Sequence, residues 1–158
     1  MTGADNVYSY VGGDVAQARL DYPIETNNTC ALKVSIALNE SGINIPFIQS
    51  TSGNPGTIQG ADGKYYFLNA KALNVWMKKT FGISPSNPQH YKYNSVDGGT
   101  DGENFPTLLN GKKGIYSMIP DPQANFGASG HADMFDGNKC AAKCYFNVAQ
   151  EIDFWVLN

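Results

Sequence analysis

The sequence predicts an α+β fold with an antiparallel sheet, and three observations carry that prediction. Helical periodicity is confined to the first half of the chain, and strand-type apolar runs dominate the second. At the end of one such run, Asp136-Gly137 supplies a hairpin-type turn. The 158 residues suit one domain, 1–158, and a 42% hydrophobic content suits a single core. Only 16% of residues are charged and the net charge is −3, so no basic excess exists to neutralise phosphates. This argues against nucleic acid as the partner. No apolar run reaches the roughly 18 residues that a bilayer span needs, which predicts no membrane insertion, and the start lacks the pattern of an export leader.

Taken in order, residues 1–26 read as an irregular lead-in, with a turn at Gly12-Gly13 and an extended step at Pro23. A helix is predicted from Asn28 to Asn39. Asn28 or Thr29 caps it, Cys30, Val34 and Leu38 share a face, and Gly42 takes the left-handed position after it. Residues 49–63 read as a loop ending in a turn, and Lys64 to Leu68 as a short aromatic strand. A second helix runs from Asn69 to Phe81 with Leu73, Trp76, Met77 and Thr80 inward, and Gly82 ends it. Residues 83–113, polar and rich in proline and glycine, read as a long loop in which His90 is solvated and Tyr91, Tyr93 and Phe105 pack inward. Strands are then predicted at Ile115–Ile119, Gly130–Phe135, Phe146–Val148 and Ile152–Leu157.

Cys140 and Cys144 lie too far from other cysteines or histidines to suggest a zinc site, and a short-range disulfide is the preferred reading. Cys30 then stays unpaired. At the first turn of a helix, unsatisfied N–H groups concentrate positive charge and stabilise a thiolate. The plain alternative is a small buried hydrophobe. His131 opens a strand after the flexible run Gly127–Gly130, where it suits the general base of a Cys–His hydrolase; the alternative is a structural histidine. The Cys30 N–H is the natural oxyanion donor.

Several motifs resemble one known family. They are Asn28-Thr29-Cys30 through Gly42, Gly60-Ala61-Asp62-Gly63-Lys64, Gly111-Lys112-Lys113-Gly114-Ile115, Gly130-His131 followed by an aromatic and then Asp136-Gly137, and the spaced cysteines. Together they are similar to the type VI secretion amidase effectors, fourth family, over nearly the whole chain from about Val11. The resemblance implies a papain-like, NlpC-type fold with N-terminal helices packed on an antiparallel β-sheet. It also implies cleavage of the γ-D-glutamyl–meso-diaminopimelate bond of peptidoglycan stem peptides. Cys30 is then the nucleophile, His131 the base, and Cys140–Cys144 a disulfide. No metal or cofactor is implied. The partners implied are the stem peptide and a cognate immunity protein, and the implied destination is a recipient bacterium's periplasm.

The chain departs from the family at one place. The family's third catalytic residue is an aspartate between the two cysteines, and Ala142 stands at that position. Either the chain is an engineered Asp→Ala form, or a natural homologue of reduced activity, or Asp133 or Asp136 substitutes. On a strand, Asp133 lies roughly 6.5–7 Å along from His131, which favours a lost carboxylate over a substituted one. Ala142→Asp would then raise activity by several orders of magnitude. Beside the hydrolase stand two other readings: a non-catalytic module that binds murein peptides, and a different Cys–His chemistry on the same fold.

Overall fold

The computed structural model describes residues 3–157. The chain divides into two compact units with the boundary between Leu73 and Asn74.

In the first unit, α1 (Ala4–Val11) and α2 (Gly13–Asp21) replace the expected irregular lead-in. Gly12 and Gly13, at φ 69° and 60°, turn the chain between them, and a Cβ on Gly13 would meet the backbone of Gly60 at 2.6 Å. Both helices are too short to persist alone. They form because Val7, Tyr8, Val11 and Val15 pack with Leu32 and Ile36 of α3 (Cys30–Glu40) and with Tyr66. Thr57–Gln59, expected as loop, is strand β1, and it pairs antiparallel with β2 (Tyr65–Phe67). Two polar side chains of α3 bind this hairpin and its flank. Ser35 Oγ accepts from the Phe67 N–H at 3.0 Å, and Asn39 Nδ2 donates to the Tyr65 carbonyl at 2.8 Å. Gly42, at φ 86°, takes the left-handed position as expected.

Helix α4 (Ala70–Phe81) carries the chain into the second unit. Leu73 and Met77 are buried as expected, but the inward face also includes Asn74, while Thr80 is exposed. The expected loop over 83–113 contains β3 (His90–Asn94), α5 (Ser95–Gly98) and α6 (Phe105–Leu109). Strands β4 (Lys113–Pro120), β5 (His131–Asp136) and β6 (Ala149–Val156) complete a four-stranded sheet of order β3-β6-β4-β5. All its pairings are antiparallel, as predicted. Phe146–Val148 is a 3-10 turn and not a strand.

The register places Tyr91, Phe154, Tyr116 and Asp133 in one row across the sheet, and His90, Trp155, Ile115 and Met134 in the next row, on the opposite face. The first face packs Tyr116, Phe154 and Phe135 against Phe105, Leu109 and the two half-cystines. The second carries a buried polar network. His90 Nε2 meets Asp153 Oδ1 at 2.7 Å, and Asn74 Nδ2 reaches both Asp153 Oδ2 (3.2 Å) and Ser117 Oγ (2.8 Å). The Ser84 N–H donates to His90 Nδ1 at 2.9 Å, so Nε2 carries the proton that Asp153 accepts. His90 is therefore 2% exposed and fully engaged, not solvated as its polar surroundings in sequence suggest.

Buried polar groups deprived of a partner keep their desolvation cost, about 1–3 kcal/mol each. Asp153→Ala, which strips partners from His90 and Asn74, is expected to lower the melting temperature by several degrees. Asp5→Ala, which removes only the exposed partner of Arg19, should shift it far less. Thermal denaturation of the two variants side by side checks this.

Candidate active site

Cys30 is the first residue of α3 and is half-buried. The chain entering α3 is pinned by Arg19. Its Nη1 donates to the Pro23 carbonyl (2.6 Å), Asn27 Oδ1 (2.9 Å) and Thr26 Oγ1 (3.1 Å), and its Nε donates to Asp5 (2.7 Å). Thr29 occupies the N-cap position without a capping side-chain bond. The nearby polar side chain is Asn28, whose Oδ1 accepts the Cys30 N–H at 3.1 Å. The amide expected as an oxyanion donor is thus engaged by Asn28.

His131 opens β5 and is 6% exposed, as is Asp133 two residues on. Their side chains converge: His131 Nε2 and Asp133 Oδ2 are 3.0 Å apart. The backbone spacing of two same-face strand residues did not limit them, because an imidazole is long enough to lean along the strand and close the gap at its tip. Asp133 is held from two further directions. The Ala142 N–H donates to Oδ2 at 3.0 Å, and the Met134 N–H donates to Oδ1 at 2.8 Å.

The Ala142 donor is presented by a folded-back loop. Asp136 Oδ1 accepts the N–H groups of Asn138 and Lys139, forming the turn, and Gly137 sits at φ 102°. The returning chain bridges Phe135 to Cys140 and bonds the Ala141 N–H to the Met134 carbonyl at 2.9 Å. The Cys140–Cys144 disulfide closes the loop, with Cα atoms 5.4 Å apart, and Tyr116 Oη donates to the Cys144 carbonyl at 2.7 Å. His131, Asp133 and Ala142 are thereby brought together. Asp136 is not among them: it is exposed and spends its carboxylate on the turn.

Burial on its own pushes the Asp133 carboxyl upward. The hydrogen bonds from His131 and from the Ala142 and Met134 amides more than offset it, holding the group below its ordinary value of 3.8. Asp133 is therefore an ionised acceptor at neutral pH. An ionised acceptor bound to Nε2 requires the hydrogen on Nε2, which in a neutral ring puts the lone pair on Nδ1. Tyr116, on the same face, has its hydroxyl pushed far up by burial and then by the Asp133 charge, so it stays a donor.

The fold and these clusters define an α+β protein with a thiol heading one helix and a buried histidine–carboxylate pair on an antiparallel strand. Its sequence matches the family described as type VI secretion system (T6SS), amidase effector protein 4, over residues 26–155. The chain belongs to that family. No curated protein matches it significantly in sequence. Among solved structures it is similar to the Tae4 effector of Enterobacter cloacae, at 25% identity and TM-score 0.73, covering 99% of this chain and 88% of that one. The Tae4–Tai4 effector–immunity complex of the same organism gives 24% identity and TM-score 0.74, covering 99% and 90%. The Tae4–Tai4 complex of Salmonella Typhimurium gives 22% and 0.72, with coverages of 99% and 90%. These likenesses bear on the α+β fold.

The sign of the Asp133 shift fixes a pH dependence. A carboxyl lowered in the folded state stabilises the fold above its unfolded value, and that contribution is lost as pH falls through the folded one. Below about pH 4 the native protein is expected to lose melting temperature more steeply than Asp133→Asn, which has nothing to protonate there. Calorimetry of both proteins from neutral pH downward checks the difference in slope.

Proposed function

We propose that this chain is a cysteine-dependent peptidoglycan endopeptidase of papain-like, NlpC type, which cleaves the γ-D-glutamyl–meso-diaminopimelate bond of stem peptides. The observation that carries the reading is the buried His131–Asp133 pair, with its carboxylate ionised and its imidazole hydrogen directed to Nε2. Family membership supplies the amidase chemistry and the secretion route.

In this reading Cys30 is the nucleophile and His131 the base, acting through Nδ1. The Cys30 sulfur attacks the γ-carbonyl carbon and its proton passes to His131. The resulting imidazolium is stabilised by Asp133, which needs no proton of its own. His131 then protonates the departing diaminopimelate nitrogen, the C–N bond breaks, and a thioester remains. Water gives a proton to His131 and its oxygen to the carbonyl carbon, the C–S bond breaks to release the acid product, and the proton on His131 returns to the Cys30 sulfur.

Asp133 takes the place of the carboxylate whose family position is held by Ala142, and Ala142 serves through its backbone N–H. The chain is then an active enzyme with a relocated carboxylate, which reverses the expectation attached to Ala142→Asp. A second carboxylate beside Asp133 would repel it. The same reading places the action in a recipient's periplasm and gives the producing cell an immunity partner, since the similar Enterobacter and Salmonella effectors are seen with one. A non-catalytic wall-binding module explains less, because a binder has no use for an ionised carboxylate that fixes a tautomer.

Digestion of purified peptidoglycan followed by fragment analysis tests the reading. Cys30→Ala and His131→Ala should leave the γ-D-glutamyl–diaminopimelate links intact. Asp133→Asn should retain the fold but lose about 10²–10⁴-fold in kcat. Ala142→Asp should fail to raise activity. Wild-type protein that leaves every such link uncut while still binding the sacculus would decide for the binding module.

A further inference from the structure

Three described non-glycine residues have positive φ: Asp101, Asn125 and Tyr145. Aspartate and asparagine tolerate the left-handed region because their short polar side chains bond locally, whereas a tyrosine has no such relief. Tyr145 (φ 57°, ψ 41°) nevertheless takes it, directly after the disulfide-bonded Cys144. Strain of this kind persists where the surroundings over-determine it, and it points from an observed outlier toward function.

The turn delivers an aromatic ring to His131. The Tyr145 and His131 ring centroids are 5.0 Å apart, with planes at 78°. Tyr145 is itself fixed by Phe126, edge-to-face at 5.0 Å and 79°, and by the Lys143 ammonium 5.3 Å from its centroid. The preceding carbonyl, of Cys144, is held by the Tyr116 hydroxyl, so the backbone at the turn is anchored from the sheet. One loop therefore supports both members of the pair: Ala142 grips the carboxylate, and Tyr145 packs against the imidazole.

We propose that Tyr145 is a positioning residue for His131. Its ring blocks rotation of the imidazole away from Asp133 and so keeps Nε2 on the carboxylate and Nδ1 as the proton acceptor. The proposal rests on the reading of His131 as the base, and it assigns the left-handed turn at 145 a purpose that packing alone does not need.

The test uses Tyr145→Phe, which keeps the ring, and Tyr145→Gly and Tyr145→Asn, which keep the turn without it. Because glycine and asparagine accept this backbone more readily than tyrosine does, their melting temperatures should not fall in step with activity. On soluble stem peptide, the Gly and Asn variants should lose about 10- to 100-fold in kcat, the scale of a misplaced catalytic group, with KM little changed. Tyr145→Phe should stay within a few-fold of wild type. Nitrogen-15 spectra of the His131 ring give a readout independent of turnover. Wild type and Tyr145→Phe should show a single Nε2–H tautomer, and the Gly and Asn variants an averaged one. Unchanged tautomer and kcat in Tyr145→Gly, or a rise in KM alone, would overturn the proposal. Should wild type fail to cut peptidoglycan while its ring signal still depends on position 145, the reaction assigned above is wrong and the positioning role stands.

Discussion

A single carboxylate organises the second unit around its histidine. Asp133 is nearly as buried as the apolar side chains about it, yet it is held as an anion because three hydrogen bonds converge on its two oxygens. Two come from backbone amides, which cannot reorient once the strand and loop are formed. The third comes from His131, and it holds the imidazole against the carboxylate through Nε2. Without the amides, burial would favour the neutral acid, and a neutral acid would compete for the imidazole nitrogen instead of accepting from it.

The same unit contains a second histidine–aspartate pair. His90 and Asp153 are closer, at 2.7 Å, and more deeply buried, but His90 spends Nδ1 on the Ser84 N–H. Asp153 is further tied to Asn74 and lies 3.4 Å from the Lys78 ammonium. Both nitrogens of His90 are committed inside the fold. The pair joins α4 to β3 and β6, and its worth is in holding those elements in register.

In the first unit, the geometry around Cys30 follows from the way α3 is entered and held. Arg19 fixes the approach through three acceptors in Pro23–Asn27, Asn28 folds its side chain onto the Cys30 amide, and Ser35 and Asn39 tie α3 to the hairpin. These are polar devices on a helix whose other face, through Leu32 and Ile36, is packed against α1 and α2. An exposed cysteine on a mobile segment would have neither constraint.

Local pattern determined much of this protein. The periodicity of residues 30–40 and 70–81, the apolar runs of β4 and β6, and Gly42 and Gly82 as helix stops are properties of short windows, so they survive without tertiary context. The cysteine spacing likewise suggested the disulfide. What the windows misjudged was set by distant partners. Helices α1 and α2 exist because α3 and Tyr66 cover them. His90 is buried because Asp153, 63 residues away, accepts its proton. The fate of Asp133 was hidden for a different reason: its spacing from His131 was visible, but side-chain reach and the amide of Ala142, returned by a turn and a disulfide, exist only in three dimensions.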